Sequence, residues 1–353
     1  MSKEMKRPLA GVPSGPPSGA PSGPPSAPAP DGGATFTRRE WFAASAGAAI
    51  LSGCANRAVP LVPSTVSIVR ATAYDQSLYD TVRRIVAEHQ PDVRGKRVVV
   101  KPNLVEFEPQ NVINTHPLVV HAACEAFRAL GAASVRIAEG PGHRRNTLDL
   151  AEAAGYFKTV PGFEDLFVDL NVDDVSRVRP VRQFSRIEKL YLPNTVLGAD
   201  LLVSVPKMKT HHWVGATLSM KNLFGVVPGG VFGWPKNALH WAGIDECIAD
   251  LDAACPRRFA IVDGIVGMEG NGPIMGAPRK AGVLVAGSDP VAVDATCCRV
   301  MRINPDKIRY LRLASGGGQS HMWESEIRQI GEEIQAVAEP FALTPEFQNI
   351  RLI

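Results

Sequence analysis

The stretch Arg97-Val98-Val99-Val100-Lys101-Pro102-Asn103 joins a run of β-branched residues to a polar turn, and repetition of this pattern indicates the fold. Near-continuous apolar runs of this length are typical of strands that are buried on both faces of a parallel sheet. Segments with apolar residues at helical spacing separate the runs. This alternation predicts an α/β fold, a mostly parallel sheet flanked by helices, in one large domain or two closely joined lobes. The other strands are predicted at residues 66–69, 135–138, 166–170, 201–205, 259–262 and 283–286.

The composition of the 353-residue chain is that of a globular protein, with 45% hydrophobic and 21% charged residues. The formal net charge of +3 is small, and no basic stripe with interleaved aromatic residues is present, so no nucleic-acid partner is expected. Six cysteines are present, but no pair has the C-x-x-C spacing typical of iron–sulfur or zinc ligands. A 4Fe-4S cluster is therefore not expected.

Residues 1–60 are predicted to be a disordered leader followed by an export signal. Residues 8–30 form a Pro/Gly/Ser/Ala tract with too few large apolar side chains to build a core. Arg38 and Arg39, followed by an aromatic pair and an Ala-rich run, resemble a twin-arginine export signal. The ending Leu-Ser-Gly-Cys54 resembles the lipobox of bacterial lipoproteins. The apolar run is shorter than the ~20 residues of a spanning helix, which disfavours a permanent membrane span.

These N-terminal motifs predict a location and two partners. The twin-arginine export machinery would carry the chain, and lipid on Cys54 would hold it at the membrane. The chain is then a membrane-anchored lipoprotein on the periplasmic or outer face of the cell, and residues 61–353 are its α/β domain.

Polar segments follow several of the predicted strands and define a candidate site. In open α/β sheets, ligands bind in the crevice outside the carboxyl ends of the strands. We therefore expect these segments to converge on one rim of the sheet. They are Lys101-Pro102-Asn103, Glu139-Gly140-Pro141-Gly142, Pro206-Lys207-Met208-Lys209, Asp263-Gly264 and Gly287-Ser288-Asp289-Pro290.

Candidate functional side chains are most closely spaced in residues 205–230, and His240 follows ten residues later. Lys207, Lys209 and His211 alternate along the chain, so they would point to the same side if the strand stays extended. Such cationic groups suit a phosphate or carboxylate ligand. A solvated loop with lysines that only aid solubility is the alternative.

Lys221 and Asn222 lie between apolar residues of the same segment. Burial among apolar neighbours lowers the pKa of a lysine, which makes its amine a better nucleophile or base near neutrality. The alternative is an amphipathic-helix lysine that reaches solvent. Asn222 is a candidate for binding the anion.

A second candidate segment for anion binding contains Lys101, Asn103 and His116. Asn103 and His116 follow a strand and precede a predicted helix start at Pro117, where backbone amides favour anions.

Asp263, Glu269 and Asp294 are the candidate metal ligands. Carboxylates at a strand end suit Mg²⁺ or Ca²⁺, whereas His211 and His240, with His212, would suit a transition metal. Asp294 lies within the apolar pattern of a helix at 291–301, which Asp289 is expected to cap. A buried Asp294 needs a partner, and we expect a lysine from the rim.

Taken in order, the motifs resemble the DUF362 family, a domain of unknown function. The matching pieces are spread, in order, over nearly the whole mature chain. Many members of that family carry ferredoxin-type cysteine clusters, which this chain lacks. The matching pieces are Val-Lys-Pro-Asn-Leu (100–104), Lys-Met-Lys-Thr-His (207–211), Ser-Met-Lys-Asn-Leu-Phe-Gly (219–225), His240, Val-Asp-Gly-Ile (262–265), Met-Glu-Gly-Asn-Gly-Pro (268–273) and Asp-Pro-Val-Ala-Val-Asp (289–294).

A second likeness is to the nickel-pincer lactate racemase family, through the order His211, Gly215, Lys221, Pro228-Gly229 and His240. In that family a lysine carries the covalent nickel cofactor and histidines act as acid and base. The resemblance implies that Lys221 bears a covalently bound metal cofactor and that His211 and His240 transfer protons or contact the metal.

The sequence is compatible with three functions. The first is an enzyme that acts on a small anionic substrate with a metal or metal-containing cofactor at the rim. The second is a surface lipoprotein that binds an anion or metal without turnover. The third is an iron–sulfur or other electron-transfer protein. The sequence does not identify the substrate.

Overall fold

A sheet of 11 strands, with helices on both sides, runs through residues 62–143, 145–316 and 320–352, the part of the chain that the computed structural model describes. The predicted α/β fold is therefore confirmed. Arg38, Arg39 and Cys54 of the predicted signal lie outside the described residues.

Each of the seven apolar runs forms a strand, and shorter strands lie between them. The strands are β1 (Ser64–Arg70), β2 (Arg97–Pro102), β3 (Ser134–Glu139), β4 (Phe167–Asp169), β5 (Val175–Val178), β6 (Leu190–Pro193), β7 (Leu201–Val205), β8 (Lys207–His211), β9 (Gly215–Thr217), β10 (Arg258–Glu269), β11 (Ala277–Arg279), β12 (Val283–Gly287) and β13 (Ile327–Gly331).

The α-helices are α1 (Ser77–Glu88), α2 (Pro117–Ala129), α3 (Thr147–Ala153), α4 (Tyr156–Thr159), α5 (Phe163–Leu166), α6 (Asn194–Leu197), α7 (Gly229–Phe232), α8 (Asn237–Trp241), α9 (Ile244–Ala254), α10 (Pro290–Val300), α11 (Arg309–Ser315) and α12 (Ile334–Val337). Short 3₁₀ helices cover Lys221–Val226, Pro305–Lys307, Glu324–Glu326 and Pro345–Ile350. In the described part of the chain, no helix has the length and apolar character that crossing a membrane requires.

The central strands of the large sheet are parallel. Their order is β13-β1-β12-β10-β7-β2-β3-β4, and all neighbours in this order are parallel except where β12 meets β1 and β10. β8 extends the sheet beside β10, pairs with β9, and follows β7 after a single residue. The carboxyl ends of β2, β3 and β7 therefore lie at one edge, as expected for a parallel sheet.

Side chains from both faces of the sheet are buried. Along β2, Val98 and Val100 pack in one apolar cluster with α1 and α2, whereas Val99 packs in a second cluster with α9 and α10. Successive residues of a strand point to opposite faces, so the two clusters lie on opposite sides of the sheet. This double burial explains the near-continuous apolar runs of the sequence.

One of the five polar segments was wrongly assigned to the shared rim. β12 is antiparallel to both of its neighbours, so its carboxyl end lies at the opposite edge of the sheet. There Asp289 accepts a 2.6 Å hydrogen bond from the hydroxyl of Ser64, at the start of β1. The capping role expected for Asp289 is confirmed, because its carboxylate accepts hydrogen bonds from the N–H groups of Val291 and Ala292.

Candidate functional site

A cavity of about 330 Å³ lies at the carboxyl-end rim of the sheet. The ends of β2 and β3, strand β8, the 3₁₀ helix at Lys221–Val226, α8 and the loop after β10 all contribute to its wall. Its polar and charged lining residues are Lys101, Asn103, Glu139, His143, Lys209, His211, His212, Thr217, Lys221, Asn222, Lys236, His240 and Asn271. Seven of the predicted catalytic and anion-binding residues, Lys101, Asn103, Lys209, His211, Lys221, Asn222 and His240, are thus brought together.

Lys207 and His116 do not line the cavity, although both were predicted to bind the ligand. The amine of Lys207 donates hydrogen bonds to Asp263 Oδ2 at 2.6 Å and to the Tyr74 hydroxyl oxygen at 2.8 Å. His116 caps α2, stacks on the ring of Tyr74 at 3.9 Å, and donates its backbone N–H to Asp263. A buried carboxylate requires such partners, so these four residues form a separate polar cluster.

Lys101, Glu139 and Asn222 form a hydrogen-bonded network in the wall of the cavity. The Lys101 amine donates to Glu139 Oε2 at 2.7 Å and to Asn222 Oδ1 at 3.1 Å. The Asn222 amide donates in turn to the Lys101 carbonyl and to the Ser204 hydroxyl. The charge of Lys101 is therefore balanced within the protein, and the network fixes the start of the 3₁₀ helix that carries Lys221.

Gly225 lets this 3₁₀ helix approach the ion pair closely. A Cβ atom at position 225 would lie 2.6 Å from the amine of Lys101 and would also overlap Glu139. Real Cβ atoms do not approach other atoms so closely, so the position requires glycine.

Three other lysines reach the cavity without a carboxylate partner. Within the described residues, no carboxylate lies at ion-pair distance from the amines of Lys209, Lys221 or Lys236. Lys209 donates to the carbonyls of Ile113 at 2.8 Å and Pro273 at 3.1 Å. Glu139 is the single acidic residue of the described lining, and Lys101 neutralises it. An anion is therefore the ligand charge that this cavity favours.

Burial makes these amines unusually easy to deprotonate. It lowers the pKa of Lys221 to about 7, with the nearby charge of Lys101 as the next cause. Burial likewise lowers the pKa of Lys236 to about 7 and that of Lys209 well below its ordinary value. The amine of Lys221 lies 3.6 Å from the centre of the Phe224 ring, a contact that accommodates its charged form.

The hydrogen bonds of the cavity histidines fix which ring nitrogen carries the proton. Nδ1 of His211 accepts a 2.9 Å hydrogen bond from the Trp213 N–H, so the neutral ring holds its proton on Nε2. Nδ1 of His240 faces the Lys236 carbonyl at 3.0 Å and must be the donor, which leaves Nε2 as an acceptor. His212 has the same tautomer as His240, because its Nδ1 faces the Gly272 carbonyl at 2.6 Å.

The surroundings of His211 and His240 favour the neutral forms of both rings. Burial, followed by the charge of Lys221, lowers the pKa of both rings. The cavity therefore presents one ring nitrogen that can donate a proton and others that can accept one.

The three carboxylates predicted to hold a metal are not brought together. Asp263 belongs to the cluster with Lys207, and Glu269 Oε2 accepts the Ala342 N–H at 2.8 Å. Asp294 accepts hydrogen bonds from the Ser219 hydroxyl and from the N–H groups of Ser219 and Met220, so the lysine partner expected for it was wrong. Burial raises the pKa of Asp294 to about 7. Among the described residues, no group of three or more His, Cys, Asp or Glu side chains could hold a metal.

The structure adds residues that the sequence reasoning missed. Lys236 lies in a loop, with a backbone φ of 70°, and no local pattern indicates that its side chain turns inward. Trp213 and Thr217 also line the cavity. Three buried polar atoms of the described lining, Asn103 Oδ1, His143 Nδ1 and Thr217 Oγ1, have no hydrogen-bond partner. Buried polar atoms are rarely left unpaired, so all three are available to a ligand.

The chain is similar to a curated relative and to a solved structure. It is 29% identical over 220 residues to the thylakoid-associated protein sll1697 of Synechocystis sp., a match that covers 61% of this chain and 65% of the relative. The chain thus spans less than two thirds of that relative's length. A structural-genomics crystal structure of a Thermotoga maritima protein matches with a TM-score of 0.32 and 13% identity, over 72% of this chain and 61% of that protein.

The family comparison covers the region that builds the cavity. The model of a domain of unknown function, DUF362, matches residues 98–299, from β2 to near the end of α10. This is more than half of the chain and includes most of the cavity lining. The chain therefore belongs to the DUF362 family.

Proposed function

We propose that the chain is an enzyme that binds a small organic acid in the cavity and performs general acid–base chemistry on it. The observation that carries the proposal is the opposite tautomers of His211 and His240 in one cavity. When both rings are neutral, His211 offers an Nε2 proton and His240 offers an Nε2 lone pair. Proton transfer to and from a bound substrate needs this pair of roles.

The unpaired lysines support the anionic charge of the substrate. A carboxylate near Lys209 and Lys221 would supply the counter-charge that the described protein atoms do not provide. An opposite charge favours the protonated amine, so binding would recharge lysines that burial had neutralised. The carboxylate would then be held by charge-assisted hydrogen bonds, which are stronger than neutral ones.

The reaction would use the two histidines in sequence. Nε2 of His240 would accept a proton from the substrate, and Nε2–H of His211 would donate a hydrogen bond to the oxygen on which negative charge develops. Lys221 would stabilise the same charge when it is protonated. Return of the proton from His240 restores the starting state, so no oxidant or reductant is required.

Deuterium exchange tests the acid–base chemistry even while the substrate is unidentified. A base that removes a C–H proton in D₂O returns deuterium, so a panel of small carboxylic acids incubated with the protein should show deuterium uptake by mass spectrometry. His211→Asn and His240→Asn should each abolish the uptake, whereas His121→Asn, on α2 and outside the cavity, should retain it. Acids that bind but gain no deuterium would instead indicate a binding protein without turnover.

An enzyme with a metal cofactor is the second candidate. The described side chains fit a metal-containing group attached covalently to a lysine, but not a metal ion bound directly by the protein. They form no metal site of their own, since the carboxylates are engaged elsewhere. The amine of Lys221, which has no carboxylate partner in the described chain, does fit covalent attachment of a metal-containing group. Such a group would supply the metal centre. His211 and His240 would keep their proton-handling roles.

Paired native and denaturing mass spectrometry on the exported protein tests this attachment. Added mass retained on the peptide that contains Lys221 would support a covalent cofactor. A chain whose denatured mass equals that of the processed, lipid-modified polypeptide would contradict it.

We also propose that the chain is exported and held at the membrane by lipid on Cys54. The twin arginines and the Leu-Ser-Gly-Cys ending support this location. Cys54→Ala should move the protein from the membrane fraction to the soluble fraction, and replacing Arg38 and Arg39 together by lysine should retain it inside the cell. Unchanged membrane fractionation of Cys54→Ala would contradict lipid anchoring.

A further inference from the structure

The lining of the cavity changes in character from its buried to its exposed residues. Lys209, His211 and Asn103 are all at least nine-tenths buried. Trp213 and Met275, in contrast, are 59% and 76% exposed, although both belong to the same lining. The floor of the cavity is therefore polar, and its mouth carries two large apolar side chains in water.

The apolar mouth directly adjoins the chemical groups. The ring of Trp213 contacts the ring of His240 edge-on, with 5.3 Å between the ring centres. The backbone N–H of Trp213 also sets the tautomer of His211. A ligand that touches these histidines therefore lies against Trp213.

The volume of the cavity exceeds what a minimal anion would fill. A cavity of about 330 Å³ is more than twice the about 150 Å³ of an apolar protein cavity that binds benzene, so it has room for a ring as well as a carboxylate. Acetate or phosphate would occupy the floor and leave the rest to water, including the space beside Trp213 and Met275. Exposed apolar surface that continues into a pocket is typical of a ligand-binding surface.

We propose that the natural ligand is an organic acid with an apolar group about the size of an aromatic ring. Its carboxylate binds among the amines and histidines of the floor, and its apolar group packs against Trp213 and Met275 at the mouth. This inference rests on the proposed function, because it takes the cavity as the substrate site, and it adds the chemical class of the substrate.

Three probes separate the two halves of the ligand, and calorimetry measures their affinities. 3-Phenylpropionate has the acid and the ring, acetate has the acid alone, and 3-phenylpropan-1-ol has the ring without the charge. We expect 3-phenylpropionate to bind at least about tenfold more tightly than either of the other two, because it buries apolar surface and also pairs its charge. Equal affinities for acetate and 3-phenylpropionate would overturn the inference.

Two variants test whether the tighter binding of 3-phenylpropionate comes from contacts at the mouth of the cavity. Trp213→Ala should lower the affinity for 3-phenylpropionate about tenfold and leave that for acetate unchanged. Trp241→Ala is the matched control, because Trp241 is 75% exposed and lies beside His240 in sequence but does not line the cavity. Equal losses in the two variants would overturn the role of Trp213.

The outcomes also separate this inference from the proposed function. If acetate and 3-phenylpropionate bind with equal affinity, and Lys221→Met binds neither, the cavity is an anion site and only the proposal of an apolar group on the ligand is wrong. Absence of binding by both acids would contradict the proposed function itself.

Discussion

Two groups of buried lysines in this molecule differ in one respect. Lys101 and Lys207 each lie within 2.7 Å of a carboxylate, that of Glu139 and that of Asp263 respectively. Lys209 and Lys236 are also buried and Lys221 is partly buried, but in the described chain their amines meet carbonyl oxygens, an amide or an aromatic ring instead. The charges of Lys101 and Lys207 are balanced by these carboxylates, whereas the other three amines have no balancing carboxylate among the described residues. The comparison shows that burial alone does not distinguish the two groups, whereas the partner of each amine does.

Breaking a paired lysine should have the largest effect on stability. Lys207→Met leaves the carboxylate of Asp263 buried without its counter-ion, and we expect the free energy of unfolding to fall by about 3–5 kcal/mol. Chemical denaturation measures this change. The double variant Lys207→Met/Asp263→Leu should recover part of the loss, since it removes the stranded charge. A loss of less than about 1 kcal/mol in the single variant would show that the pair does not matter.

Crowding the other ion pair should have an intermediate effect. Gly225→Ala places a Cβ atom against Lys101 and Glu139, and we expect it to cost about 1–3 kcal/mol of stability. Gly230→Ala is the matched control, because a Cβ there meets no heavy atom within 4 Å. Similar denaturation midpoints for both variants would argue against a tight packing of the 3₁₀ helix on the pair.

Removing an unpaired lysine should have the smallest effect on stability, with the opposite sign. The pKa of Lys221 is about 7 in the folded chain and 10.5 in its ordinary state, so between these values the unfolded chain holds a proton that the folded chain has lost. Stability then rises with pH across this window. Lys221→Met should be more stable than the natural chain at pH 7, on the order of 1 kcal/mol because the amine keeps some access to water, and this advantage should shrink towards pH 10. An advantage that is constant with pH would contradict a lowered pKa.

Much of the candidate site could be predicted from the sequence, because parallel strands end at one edge of a sheet. That rule brought together Lys101 and Asn103, at the carboxyl end of β2, with Lys209 and His211 on β8. Lys221 was predicted from its apolar neighbours and from the order of the surrounding motifs. The near-continuous apolar runs also indicated the strands, because burial on both faces leaves little choice of side chain.

The parts that could not be predicted depend on contacts between distant residues. The direction of β12 is set by pairing with β1 and β10, and an apolar run looks the same in either direction. Asp294 was expected to meet a lysine, but it accepts hydrogen bonds from the N–H groups of Ser219 and Met220, which are 75 and 74 residues away in sequence. The alternation of side chains along a strand would by itself place Lys207 with Lys209 at the rim. The hydrogen bond to Asp263 holds its amine in another cluster instead.

A pH titration of the lysine side chains by NMR tests the central claim most directly. Protein labelled with ¹³C at lysine Cε gives one resonance for each lysine, and the spectrum of Lys221→Met assigns the resonance of Lys221. We predict that this resonance titrates with a midpoint at about pH 7 and that saturating 3-phenylpropionate moves the midpoint upwards, because the carboxylate stabilises the charged amine. A midpoint near the ordinary 10.5 that the acid does not change would contradict the claim that Lys221 is an unpaired amine held for an anionic ligand.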